Sequence, residues 1–212
     1  MSLAMSSDAD IGQTGVFGQV MGLVATTLAV FTVGAYLGRH LAGGPAIVCF
    51  ILSFVCVFAL NYARDSGGAA VGLLLATGLF LGLGLGGGVD AYTSADPGVV
   101  WQAGAATALF VAALGSIGYM TRSDLSGGYR ALFFLLLGLI VYGLVSLFVS
   151  MPAGNVIYAV LGLGIFGGYT LLDFNRLRQA GTGDAVSIAS GIFLDALNVF
   201  TFFLQLFGRG RD

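Results

Sequence analysis

Residues 168–200 read GYTLLDFNRLRQAGTGDAVSIASGIFLDALNVF. Two apolar runs flank a short polar turn, and each run carries one aspartate, Asp173 and Asp195. With the apolar residues on either side, each run reaches the roughly 20 residues that a helix needs to cross the hydrocarbon core. A charge near the centre of such a helix costs on the order of 3 kcal/mol, so it needs a partner, water or a proton. The stretch therefore predicts two antiparallel membrane helices joined by a tight turn, with a carboxylate on each.

The rest of the chain agrees with that class. Hydrophobic residues make up 58% of the 212, and 35 are glycine. Mean hydropathy is +0.97, a value expected of a polytopic all-α integral membrane protein and not of a soluble domain. The net charge of −2 and the absence of basic runs exclude a nucleic-acid or polyanion binder. Every base other than His40 is Arg and every acid is Asp. Without Lys the chain cannot form a retinal Schiff base, so that seven-helix class is excluded. Cys49 and Cys56 lie about 10 Å apart along one helix, too far for a bridge within it, and read as free thiols.

The apolar runs parse into seven spans, near 15–37, 45–62, 69–89, 98–120, 130–150, 155–177 and 185–207. Residues 1–14 are expected as a polar tail without the basic start of a cleavable signal, 15–207 as one transmembrane domain, and 208–212 as a short basic tail. The connections are loop-like: GRHLAGGP, NYARDSGG, DAYTSADPG, TRSDLSGG, SMPAG and RLRQAGTGD. Arg64, Arg122, Arg130, Arg176 and Arg178 fall on one side and Arg39, Arg209 and Arg211 on the other. The positive-inside rule then favours the 176–184 turn in the cytoplasm; the basic carboxyl tail is discordant with that, and a re-entrant last span would remove the discord. The lone His40, beside Arg39, reads as interfacial.

Span 3 places Gly78, Gly82 and Gly86 on one face, a spacing that lets helices approach closely in lipid. The G-x-G-x-x-G matches at Gly82, Gly84 and Gly87 and at Gly162, Gly164 and Gly167 lie within spans. They lack the preceding strand of a nucleotide site, so they read as helix packing.

Span 7 carries the most informative pattern. At 100° per residue from Asp195, Ser187, Gly191, Asn198, Thr201 and Gln205 fall between about 240° and 320°. Such a polar stripe faces other helices or a watery path, not lipid. Because the 176–184 turn is short, Asp173 and Asp195 can meet and titrate as a unit that shares a proton. Counted from the turn, Asp195 is about 7 Å deeper, so tilt or an irregular helix start has to close the gap. Arg64, at the end of span 2 on the same side, either snorkels outward or turns in as a counter-charge.

Three stretches together resemble the Bax-inhibitor-type family, also called the transmembrane Bax inhibitor motif family, in its bacterial, pH-sensitive calcium leak form. GNVIYAVLGLGIFGGYTLLDFNRLRQ is similar to the family's sixth helix, with Tyr169 four residues before Asp173. AVSIASGIFLDALNVFTFFLQLFG is similar to its last helix, with Asp195, Asn198 and the closing Leu-Phe-Gly. WQAGAATALFVAALGSIGYMTRSDLSG resembles its fourth helix, ending in a T-x-x-D-x-S turn at Thr121, Asp124 and Ser126. The resemblance implies a seven-helix bundle with the C-terminal helix at its centre. It also implies a calcium leak in which an aspartate pair on the last two helices, here Asp173 and Asp195, senses protons and latches the gate. Arg64 approximates the latch arginine. Span 2, unlike that of some members, holds no acidic residue.

The expected function is thus a passive calcium leak rather than an enzyme, in the inner membrane of a bacterium. Asp173, Asp195 and Arg64 are its pH sensor, and Asn198, Ser187 and Gln205 line the ion path. The aspartates offer calcium a weak site, and no tightly bound cofactor is expected. Two other readings stand beside it. An intramembrane aspartyl protease also uses two aspartates on consecutive helices, and GTGD at 181–184 is a literal G-x-G-D. Yet Asp184 falls in the loop, Asp173 follows Leu172, and no Pro-Ala-Leu exists. The third is a regulatory membrane protein that transports nothing.

Overall fold

The computed structural model describes residues 2–63, 66–146 and 154–208. Among them are seven α-helices and one 3-10 turn: α1 Ser2–Leu37, α2 Gly44–Ala63, α3 Gly68–Ala95, α4 Pro97–Met120, α5 Gly128–Ser146, α6 Gly154–Gln179, the turn Thr182–Asp184, and α7 Ala185–Gly208. All seven are long and apolar enough to cross a membrane, the first of them over Gly15–Leu37. The end of the fifth predicted span and SMPAG up to its Gly154 lie outside the described residues.

Burial sorts the helices. In the spanning window of α7, 56% of residues are buried, and in α6 44%, against 11% in α2 and 6% in α5. The outward residues of α2 and α5 are large hydrophobics such as Ile47, Ile51, Phe58, Phe133 and Phe134. That is what lipid-facing helices need, since exposed apolar surface costs nothing against acyl chains. The sequence pattern gives α7 the opposite place: no residue from Ala185 to Gly208 is exposed.

The chain forms two compact units. One comprises Met1–Ala91 and Leu177–Phe193, the other Tyr92–Arg176 and Leu194–Asp212. In the first, α1 and α3 are in near backbone contact. A Cβ at Gly78 would lie 2.8 Å from Thr27 Cγ2, and one at Gly82 or Gly86 would collide with the α1 backbone at Phe31 or Ala35. The predicted glycine face is thus the α1–α3 seam. Gly84 points the other way, onto α2 at Ala46 and Phe50. The start of α7 joins this unit through Phe193, fully buried and edge-on to Phe31 at 6.4 Å.

In the second unit the later part of α7 packs by rings. Phe202 meets Tyr158 at 5.5 Å and Phe166 at 6.0 Å, and Phe203 meets Phe110 of α4 at 5.7 Å. Gly162 makes room for the Phe202 ring and Gly167 for Phe110 and Leu114, so neither G-x-G-x-x-G match is a phosphate loop. Two elements differ from their sequence reading: α1 begins at Ser2, within the expected tail, and α3 outlasts its predicted span. DAYTSADPG is no loop: α3 continues to Ala95 and α4 starts at Pro97. Asp96 alone makes the break, its carboxylate accepting from the Gly98 N–H at 2.8 Å with Pro97 in the first turn. A capping Asp followed by Pro is a helix start needing no loop at all.

At the end of α1, the Arg39 guanidinium lies over the Tyr36 ring at 4.1 Å, and its Nε donates to His40 Nε2 at 3.0 Å. His40 is exposed there, as an interfacial residue should be. Cys49 and Cys56 are free.

Candidate functional site

Asp173 lies six residues before the end of α6 at Gln179, and Asp195 ten residues after the start of α7 at Ala185. By helical rise the two differ in depth by about 6 Å from the turn. Both are nevertheless buried, at 8% and 5% exposure, and close enough for the charge of Asp173 to act on Asp195. Both belong to the second unit. Arg176, one turn beyond Asp173 on α6, acts on it as a counter-charge.

Two tyrosines complete the cluster. Tyr129, in the first turn of α5, donates its hydroxyl to Asp173 Oδ1 at 2.5 Å. Tyr169, one turn before Asp173, feels both carboxylates and lies with its ring 6.1 Å from that of Tyr129. One atom in this cluster is left over: Asp195 Oδ2 is buried with no hydrogen-bond partner among the described residues. A native buried polar atom without a partner marks a place for a proton, a water or an ion.

A second polar group lies two residues along α6. Asn175 is 2% exposed, and its side chain holds the connection between α4 and α5. Nδ2 donates to the carbonyls of Gly118 at 3.2 Å, Thr121 at 2.8 Å and Ser123 at 3.1 Å, while Oδ1 accepts from the Leu125 N–H at 3.1 Å. One amide thereby satisfies carbonyls that the end of α4 leaves without helical partners. Within the same turn the Ser126 N–H donates to Asp124 Oδ1 at 2.9 Å. That bond holds the Asp124 carboxyl below the usual carboxylate range. The T-x-x-D-x-S pattern is therefore a turn built around its own aspartate and clamped by Asn175.

Of the other residues singled out by sequence, Arg64 lies outside the described residues. Ser187, Asn198 and Gln205 line up on α7 and, with Gly191 and Thr201, are half-buried on a helix that exposes nothing. Asn198 donates its amide to Leu194 O at 2.8 Å, and Thr201 donates to Asn198 O at 2.8 Å. These bonds return to the helix itself, so the stripe is not spent on interhelical glue at those two positions. Ser187 belongs to the first unit, Asn198 and Gln205 to the second. Asp184 is exposed in the 3-10 turn outside the spans, which removes the in-membrane aspartate that G-x-G-D would require. Sequence reasoning missed Tyr129 and Asn175. The only signal for Asn175 was an amide in an otherwise apolar helix, two residues from a buried Asp.

Fold and site together define a polytopic helical membrane protein with paired carboxylates buried on its last two helices. The chain belongs to the Bax inhibitor family: the family described as "Inhibitor of apoptosis-promoting Bax1" matches residues 13–212. It is similar to an uncharacterized membrane protein of Streptococcus pyogenes serotype M1, 32% identical over 174 residues, covering 78% of this chain and 73% of that one. A Chlamydia muridarum protein is 30% identical over 198 residues, covering 86% and 82%. A Helicobacter pylori protein is 30% identical over 199 residues, covering 89% and 84%.

Proposed function

We propose that this protein is a pH-sensitive passive calcium leak, gated by Asp173 and Asp195 and placed in a bacterial inner membrane with the 176–184 turn in the cytoplasm. The observation that carries this reading is Asp195 Oδ2, without a hydrogen-bond partner among the described residues and buried beside a second carboxylate on a helix whose polar stripe is half-buried. A permanent structural ion pair would not leave that oxygen empty-handed. A group that exchanges a proton or meets a passing cation would.

At low pH one proton is shared between the two carboxyls and keeps α6 and α7 drawn together. At higher pH the proton leaves, the like charges repel, and one carboxylate turns to Arg176, to Arg64 or to a cation. The equilibrium then moves toward the conducting form. Calcium takes oxygen ligands, usually six to eight. Among the described residues no three His, Cys, Asp or Glu side chains gather at one point. Two carboxylates with Asn198 nearby make a weak site, suited to a passing ion rather than a held one. No residue acts as a catalyst in this reading.

Sealed vesicles containing the purified protein test it. Calcium entry should rise as pH rises, and Asp195→Asn should flatten that dependence. No flux at any pH, with cleavage of a peptide substrate instead, would overturn the leak in favour of a protease. Neither activity would leave a regulatory protein that transports nothing.

A further inference from the structure

The leak reading uses the two aspartates but not the polar groups that hold one of them in place. Asp173 is faced by Tyr129 from α5, by Tyr169 and Arg176 from its own helix and by Asp195 from α7. Among the described residues, Tyr129 makes a short, directed hydrogen bond to it from another helix. Tyr129 is the second residue of α5, so its position depends on how the preceding turn is set. That turn, from Thr121 to Leu125, is fixed by three hydrogen bonds to a single side chain, Asn175, which makes a fourth to Gly118 in the last turn of α4. Asn175 in turn stands two residues from Asp173 on the same helix. The circuit is closed: α6 grips the α4–α5 turn through Asn175, and the turn hands Tyr129 back to α6 at Asp173.

We infer that Tyr129 is a positioning residue of the gate and that Asn175 sets it, so that the α4–α5 turn is a working part of the pH latch. The inference rests on the leak reading for its consequence, though not for its geometry. The hydroxyl occupies Asp173 Oδ1 and leaves Oδ2 as the oxygen that can share a proton with Asp195. It also favours the carboxylate over the acid, because an O–H donor bonds more strongly to an anion. Removing it should therefore move the midpoint of calcium flux to higher pH. The conservative change Tyr129→Phe keeps the ring against Tyr169 and deletes only the donor.

Two measurements on the full-length protein in lipid separate this inference from the leak itself. The first is the infrared carboxyl band across pH, which needs no transport. Tyr129→Phe and Asn175→Ala should each change the band assigned to Asp173 through its loss in Asp173→Asn. The double variant should change it no further, because Asn175 acts through Tyr129. The second is flux in vesicles, where Tyr129→Phe should shift the midpoint by about one pH unit, the size expected when a charge-assisted hydrogen bond is lost. An unchanged band in Tyr129→Phe overturns the inference even if wild-type flux is present. Additive effects of the two substitutions overturn the role given to Asn175. If wild-type vesicles show no flux, the leak fails, and the band alone decides whether Tyr129 and Asn175 set Asp173. Should Asn175→Ala not fold, Asn175→Ser, which keeps a donor, takes its place with the same expected non-additivity.

Discussion

Asp195 keeps a carboxyl oxygen buried without a hydrogen-bond partner among the described residues, so its burial works against the fold. Replacement by an apolar residue of similar size should relieve that. Asp195→Leu is expected to raise the thermal unfolding temperature in detergent by a few degrees, of the order that ~1 kcal/mol produces in a chain of this size, while abolishing the pH dependence of flux. A lowered unfolding temperature would mean that the carboxylate has a structural partner. Both aspartates were readable from sequence because a charge inside an apolar run stands out on its own. Tyr129 and Asn175 were not, because a tyrosine or an asparagine near a helix end is ordinary. Their roles come from partners 44 and between 50 and 57 residues away. Asp124 makes a local and therefore testable case. Its folded carboxyl is held low by the Ser126 N–H, so the protection this bond gives is complete at neutral pH. It is lost only as pH falls through that lowered value, and the protection of the Ser126 amide, its exchange relative to the unprotected rate at the same pH, should fall there and not before.

Among the helices, α3 shows best how composition becomes contact. Its glycines read as a packing face, and the face does meet α1 so closely that a methyl group at Gly82 has backbone in its way. Gly82→Ala should destabilise by about 1–3 kcal/mol, as overpacking does. Gly164→Ala is the control: a Cβ there meets nothing within 4 Å, and thermal unfolding should be unchanged or slightly later. Equal losses at the two sites would show that helix flexibility, not the seam, is what the glycines provide. Among the described residues, span boundaries were legible to within a few residues except at α3. There the polar letters of DAYTSADPG suggested a loop although Asp96 and Pro97 suffice to end one helix and begin the next. Polarity reports water; it does not report where a helix stops.

For the molecule as a whole, seven spans and the family were within reach of the sequence, since hydropathy alone locates helices that lipid must accept. Orientation rests on five arginines against three, and labelling checks it. With Cys49 and Cys56 changed to Ser, a cysteine at Gly183 should react with a membrane-impermeant thiol reagent in inverted vesicles and stay silent in intact cells. One at His40 should do the reverse. The opposite pattern would invert the proposed topology while leaving the aspartate site untouched.

Asp96 has a further consequence. As the only residue between α3 and α4, it spends its N–H on Tyr92 O at 2.9 Å and its carboxylate on Gly98, so the connection has no slack. A single inserted residue would have to enter the register of α4, where it amounts to a rotation of about 100°. Gly115 and Gly118, which now lie against Phe174 and Leu171 of α6, would swing away and bulkier neighbours would take their place. At this one point the protein should tolerate almost any change of letter better than a change of length.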